Sequence, residues 1–211
     1  MLTIVDYGVG NLASIRNMLK KNGIESQISS DQEVIAAAER IILPGVGAFD
    51  TCADKLRESG LIPLLNKKAL EEKIPILGVC VGHQLLLESS EEGQLPGLGW
   101  IRGRVIRFQQ DKMPPGYKIP HMGWTEVSLC KPSRLFDEMY DDPRFYFVHS
   151  YHADPVDKED ALVQANYGYN FVAGVERGNI AGVQFHPEKS HKFGMKLLYN
   201  FVKNFQPCAS E

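Results

Sequence analysis

The chain has 211 residues, 44 % of them hydrophobic and 23 % charged, with a formal net charge of −3. That length suits one α/β domain with room for a small insertion and a substantial core, and the charge gives no electrostatic reason to expect a nucleic-acid partner. No stretch approaches the roughly 20 apolar residues of a membrane span, and four cysteines (Cys52, Cys80, Cys130, Cys208) without CxxC pairs or zinc-like spacing to histidine argue for a reducing compartment, read here as the cytoplasm.

Leu2–Val5 reads as a first core strand, since the apolar start is too short for a signal peptide. Leu12, Ile15, Met18 and Leu19 at helical spacing predict a helix over Asn11–Lys21, ended by Gly23. Ile24–Ser29 is a second strand, Asp31 caps a short helix through Ala38, and Arg40–Leu43 is a third strand followed by a Pro-Gly loop. Phe49–Glu58 and Leu61–Lys73 are predicted helices, and Ile74–Val79 returns to the sheet. Glycines and prolines then multiply from Gly93 to Pro120, around short strands such as Arg104–Phe108. His121–Leu129, Phe145–Tyr151, Ala161–Ala165, Phe171–Glu176 and Asn179–Phe185 read as further strands, with hairpin connections at Tyr167–Asn170 and Arg177–Asn179. A helix over His191–Phe205 closes the chain, and residues 207–211 are expected to be a flexible tail. The predicted class is α/β: a doubly wound, mostly parallel sheet flanked by helices, with added antiparallel strands, in one domain over residues 1–206.

Two windows carry chemistry. Gly78-Val79-Cys80-Val81-Gly82-His83-Gln84 follows a buried strand, and Gln84-Leu85-Leu86-Leu87 starts a helical pattern. A cysteine between small residues at a strand-to-helix turn has the layout of a nucleophile elbow, and the positive end of the following helix is expected to favour the thiolate. The alternative is a small buried apolar residue. The second window, Gly182-Val183-Gln184-Phe185-His186-Pro187-Glu188-Lys189-Ser190, delivers a histidine at the end of a strand with a carboxylate two positions on. A thiol nucleophile needs a base, and the base needs an acceptor on its other nitrogen; Cys80, His186 and Glu188 fill these roles.

Together these windows resemble the class I (triad) glutamine amidotransferases. Asp6–Asn11, Leu43–Phe49, Pro120–Trp124 and Tyr146–Tyr151 narrow the resemblance to the glutaminase subunits of imidazole glycerol phosphate synthases, over residue 3 to about 205. The resemblance implies a flavodoxin-like amidotransferase fold and hydrolysis of L-glutamine through a glutamyl thioester, with no metal or organic cofactor. It places Gly45, Val46 and Gly47 in an oxyanion loop, with the amide of Val81 as a second donor. It places Gln84, Glu92, Ser150 and Tyr151 at the substrate's amino-acid end. Asn11, Trp124, Tyr146 and Lys189 match positions near an interface with a cyclase subunit, a (β/α)8 barrel that completes a heterodimer and receives the ammonia for histidine biosynthesis.

Several positions depart from the pattern. Methionine is commonest in the family where this chain has His83, and leucine where it has Val81. His83 is read as a packing or solvent-facing residue and not as the base, with electrostatic tuning of Cys80 as the alternative. Val81, His83, Thr125 and His191–Met195 also resemble paralogues that supply ammonia to an N-acetyl sugar amidotransferase of surface-polysaccharide pathways. That pathway is the rival expectation. Readings from other classes are a stand-alone cysteine hydrolase and a catalytically dead scaffold subunit.

Overall fold

A computed structural model describes residues 1–206, and the tail expected at 207–211 lies outside them. Five strands form a parallel array: β1 (Leu2–Val5), β2 (Ser26–Ser29), β3 (Arg40–Gly45), β4 (Ile76–Cys80) and β12 (Ile180–Val183), in the order β2-β1-β3-β4-β12. All four neighbouring pairs in this array are parallel. Its inner strands are near-continuous runs of Ile, Leu and Val, as expected where helices cover both faces; Ile4, Ile41, Ile42, Leu43, Ile76 and Leu77 are fully buried.

The sheet continues beyond β12 as an antiparallel extension. It contains β11 (Tyr169–Arg177), β10 (Ala161–Tyr167), β7 (His121–Leu129) and β8 (Arg144–His149) in that order. A branch of β9 (Tyr151–Pro155), β6 (Gly103–Arg107) and β5 (Ser89–Ser90) leaves it at β11, and the whole is a 12-stranded sheet. The antiparallel part is as extensive as the parallel part. The segment Phe145–Tyr151, expected as one strand, is divided at Ser150: β8 pairs with β7, whereas β9 pairs with β11 and β6.

The helices are α1 (Leu12–Lys21), α2 (Gln32–Ala36), α3 (Phe49–Glu58), α4 (Ile62–Asn66), α5 (Val81–Gln84) and α6 (His191–Lys203). Asp31 caps α2 as expected, accepting the Glu33 amide at 2.7 Å, although the helix ends at Ala36. The expected helix Leu61–Lys73 is α4 running into a π-helical turn, Lys67–Glu71. In α6, Phe193, Leu197, Leu198 and Phe201 lie on one face and are buried, worth roughly 1.5–3 kcal/mol per side chain.

The carboxyl ends of β3, β4 and β12 meet side by side, where Gly45 pairs with Cys80 and Val79 with Val183. That edge is where open α/β sheets place their ligands. Among the described residues, no helix is long and apolar enough to cross a membrane.

Candidate active site

Cys80 is the last residue of β4 and sits at φ 56°, ψ −114°. A non-glycine residue in that region costs about 1–3 kcal/mol and persists only where its surroundings impose it. Here the surroundings are backbone. A Cβ built on Gly82 would lie 1.9 Å from the Leu43 carbonyl oxygen, one on Gly78 would lie 2.7 Å from the Gly82 carbonyl oxygen, and one on Gly45 would lie 2.6 Å from the Gly82 amide. Chain therefore packs on chain around the turn, and the cysteine is held in the strained geometry. The helix that follows is a single turn, Val81–Gln84; Leu85, Leu86 and Leu87 continue as buried turns. The longer helix expected there does not form, so a full helix dipole behind the sulfur is absent.

His186 follows β12 and begins a short 3₁₀ turn, Pro187–Lys189. Its Nδ1 lies 2.8 Å from Glu188 Oε1, with both side chains almost wholly buried. The carboxylate requires a proton on Nδ1, which fixes the tautomer and leaves Nε2 for the cavity shared with Cys80. Burial alone disfavours the charged ring; Cys80 and Glu188 outweigh it and push the His186 pKa up to about 9. Three bonds brace His186 from behind. The His186 amide donates to Tyr146 O at 2.9 Å, the Tyr146 amide donates to Ser190 Oγ at 3.0 Å, and Ser190 Oγ donates to His186 O at 2.6 Å.

These groups open on a cavity of about 360 Å³ lined by Val46, Gly47, Cys80, Val81, Gln84, Glu92, Ser150, Tyr151, His186 and Lys189, together with Pro120, Val148, His149 and Gln184. That volume lies in the range of small-molecule sites. Val46 and Gly47 are exposed at the rim, while Gly45 lies behind it in β3. The loop is fastened from behind, because Tyr7 Oη donates to Pro44 O and Cys52 Sγ donates to Val46 O. The Val81 amide opens α5, so by position it has no partner within the helix.

Gln84 is buried, donates through Nε2 to Gln184 Oε1 at 2.9 Å, and has no partner for its own Oε1 among the described residues. Gln184 in turn directs Nε2 at Cys80 Sγ, 3.9 Å away. Glu92 is half-buried, and its Oε2 accepts the Phe49 amide at 2.9 Å. Ser150 and Tyr151 are half-buried at the bend between β8 and β9.

The sequence reading missed Gln184 and His149. Gln184 had a signal, as the one polar side chain in the apolar run Ile180–Phe185. His149 lies 2.7 Å from Tyr151 O through Nδ1 and 3.0 Å from His121 Nδ1 through Nε2. The carbonyl can only accept, so His149 Nδ1 carries the proton, Nε2 is bare, and His121 Nδ1 donates to it. Burial lowers the pKa of both rings, to about 4 for His121. This neutral pair ties the end of β8 to the bend that carries Ser150 and Tyr151.

His83 is fully buried beneath the elbow, packed where a Cβ on Gly182 would come within 2.8 Å of its ring. Neither ring nitrogen has a hydrogen-bond partner among the described residues, and burial pushes its pKa down to about 3. Burial thus holds the ring neutral near pH 7, and its position under the elbow matches the packing expectation.

Trp124 and Tyr146 pair across β7 and β8. The Lys189 ammonium stands 5.6 Å from the Tyr146 ring centre, and the Trp124 ring stacks on His191 at 5.3 Å. Trp124 is 44 % exposed and Met122 61 %, so Trp124 is not a core residue. Asn11 is exposed just before α1, and its side chain makes no cap bond to that helix.

Comparison with known proteins places the chain in a family. The family model for class-I glutamine amidotransferases matches residues 3–205. An imidazole glycerol phosphate synthase subunit HisH 2 of Methanococcus maripaludis is 50 % identical over 96 % of this chain and 99 % of its own. A subunit HisH 2 of Pseudomonas aeruginosa is 48 % identical and a subunit HisH of Leptospira borgpetersenii 49 %, each with the same coverage. Among solved structures, a glutamine amidotransferase covers 95 % of this chain and 97 % of its own with a TM-score of 0.74 at 19 % identity, which speaks to the fold. The chain belongs to the class-I glutamine amidotransferase family.

Proposed function

We infer that this chain is the glutaminase subunit of an imidazole glycerol phosphate synthase. It hydrolyses L-glutamine to glutamate and supplies the ammonia to a cyclase subunit. The observation that carries this reading is near half identity, over nearly the whole of both chains, to subunits of that name, in a chain that retains Cys80, His186 and Glu188.

The mechanism follows from the chemistry of the three side chains. The Cys80 thiolate adds to the side-chain carbonyl carbon of glutamine, and the carbonyl π pair moves to oxygen. The loop amides at Val46 and Gly47 and the amide of Val81 receive that charge; such donors are each worth about 3–4 kcal/mol when placed for the tetrahedral adduct. Collapse breaks the carbon–nitrogen bond, His186 gives its proton to the departing ammonia, and a glutamyl thioester is left on Cys80. Water then attacks the thioester with His186 as base, which releases glutamate and regenerates the thiolate. Glu188 holds the Nδ1 proton throughout. Gln84 Oε1 is an unused buried acceptor, and Glu92 is an anion for the substrate's ammonium.

The face around Met122, Trp124, Tyr146 and Lys189 is the docking surface for the cyclase, a (β/α)8 barrel in a cytoplasmic heterodimer. Aromatic residues and methionine are enriched at interface cores and charged groups belong to the rim, which fits exposed Trp124 and Met122 with Lys189 beside them, and the cavity opens there at Lys189.

The test is glutamate release by the chain alone and with a histidine-pathway cyclase subunit carrying its ribonucleotide ligand. Stimulation of about 100-fold or more, roughly 2.7 kcal/mol of barrier, is expected. Two of the relatives above carry the ordinal 2 in their names, so the sugar-amidation rival is tested beside it. A flat response to the cyclase with stimulation by an N-acetyl sugar amidotransferase overturns the histidine-pathway reading. Cys80→Ala is expected to abolish glutamine-dependent synthesis in the complex and leave synthesis from free ammonium intact.

A further inference from the structure

Glu92 at the cavity and Asp50 behind it form a reciprocal pair of carboxylates, of which the mechanism uses only Glu92. Glu92 Oε2 accepts the Phe49 amide at 2.9 Å and so caps α3, where Ala48 offers no side-chain acceptor. Asp50, in the first turn of α3, reaches the other way. Its Oδ1 accepts from the Gln94 amide at 3.1 Å and the Leu95 amide at 3.0 Å, and its Oδ2 accepts from the Gln94 amide at 2.9 Å. Helix and turn thus hold each other by charge-assisted bonds in both directions. The contact has no slack: a Cβ built on Gly93 would lie 1.8 Å from Asp50 Oδ1.

Glu92 has two carboxylate oxygens. One is committed to α3, and the other is left to receive an α-ammonium. Its direction depends on the turn that carries it. That turn is short, and within it the side-chain support of the backbone is the Ser90 Oγ bond to the Glu92 amide at 3.1 Å. The Glu91 amide donates to Val105 O at 2.9 Å, the Gly93 amide to Ser90 O at 3.3 Å and the Arg107 amide to Glu91 Oε2 at 2.8 Å, and Asp50 holds the far side of the turn at Gln94 and Leu95.

The geometry points to Asp50 as a positioning residue for glutamine recognition, which anchors the Glu92–Leu95 turn so that the Glu92 carboxylate stands between α3 and the substrate's α-ammonium. This rests on the glutaminase reading above. Asp50 lies outside the cavity lining and acts through Glu92. Because α3 starts directly after the Gly45–Gly47 loop, the same clamp sets the distance between the recognition turn and the loop that receives the oxyanion. Loss of the clamp falls first on substrate affinity, since Cys80 and His186 are held by other contacts.

The test is steady-state kinetics of glutamine hydrolysis by the complete complex with the cyclase subunit, for wild type, Asp50→Ala, Asp50→Asn and Gly93→Ala, with thermal unfolding of each. Asp50→Ala is expected to raise KM for glutamine about 10-fold while kcat falls less than threefold, and to leave ammonium-supported synthesis unchanged. Asp50→Asn keeps one acceptor oxygen and recovers part of the KM. Gly93→Ala reaches the same contact from the other side: it raises KM in the wild-type background and costs little more in the Asp50→Ala background, where the colliding oxygen is gone. A KM within twofold of wild type in Asp50→Ala, with only the unfolding temperature or kcat reduced, overturns the positioning role. So does a Gly93→Ala effect on KM undiminished by Asp50→Ala. Absence of glutamine hydrolysis by the wild-type complex instead overturns the reading on which this one rests.

Discussion

The elbow that holds Cys80 and the rim that faces it are built on opposite plans. Around the elbow, glycines are needed for space: Gly45, Gly78 and Gly82 each sit where an added Cβ would strike backbone within 3 Å. At the rim, Gly47 has nothing within 4 Å of where a Cβ would stand, and what it needs is its φ of +98°. Val46 beside it is 40 % exposed. The proposed nucleophile is thus fixed by steric contact with main chain, whereas the loop proposed to receive the oxyanion is fastened by a few side-chain bonds at its back. A strained turn must be over-determined to persist, while a loop that responds to a partner must be able to move at small cost.

Substitutions at these glycines break or sharpen that contrast. Gly82→Ala puts a carbon 1.9 Å from Leu43 O in a place where only backbone can yield, and is expected to cost about 3 kcal/mol or more, read by urea unfolding. An unchanged midpoint would mean that the elbow is softer than its contacts indicate. Gly47→Ala meets no neighbour and pays only for the left-handed φ, about 1–2 kcal/mol. Its expected signature is a fall in kcat for glutamine hydrolysis with KM nearly unchanged. If Gly47→Ala proves as destabilising as Gly82→Ala, the two regions do not differ as described.

His83, under the elbow, gives a pH handle on the same region. Its pKa is pushed down to about 3 in the folded chain by burial, and that of His121 to about 4; both are near 6.5 when unfolded. The unfolded chain therefore binds more protons below pH 6.5, so stability rises with pH in this window and is lost as pH falls from about 6.5 toward 3. His83→Met removes one such group and two unpartnered buried nitrogens. The variant is expected to be more stable than wild type at pH 7 by about 1 kcal/mol. Its advantage is expected to grow by roughly 2 kcal/mol between pH 7 and pH 5. A constant difference across that range would show that His83 is not held neutral.

The elbow was legible in the sequence because its causes are local. Small residues flank a cysteine at the end of an apolar strand, and a carboxylate follows His186 by two positions. The alternation of strand and helix through Val79 was legible for the same reason. The rim's residues were named through the family resemblance, but the bonds that hold them were not legible, because they join distant residues: Asp50 to Gln94 spans 44 positions and Gln84 to Gln184 spans 100. Glu92 was read as a substrate ligand, but its bond to α3 needed the fold to bring Phe49 beside it. The bend at Ser150 escaped notice because Phe145–Tyr151 carries a continuous β pattern, and only the choice of partner strand divides it. The one-turn α5 also escaped, since Leu85, Leu86 and Leu87 are apolar through burial on all sides.

The central claim is that Cys80 is the nucleophile of this fold. It is tested most directly by incubating the complex with a glutamine analogue bearing an electrophilic diazo ketone in place of the side-chain amide and locating the adduct by peptide mass spectrometry. The account predicts one adduct per chain, on Cys80, abolished by Cys80→Ser and suppressed by competing glutamine. Labelling of Cys52 or Cys130 instead, or none in a complex that hydrolyses glutamine, would contradict it.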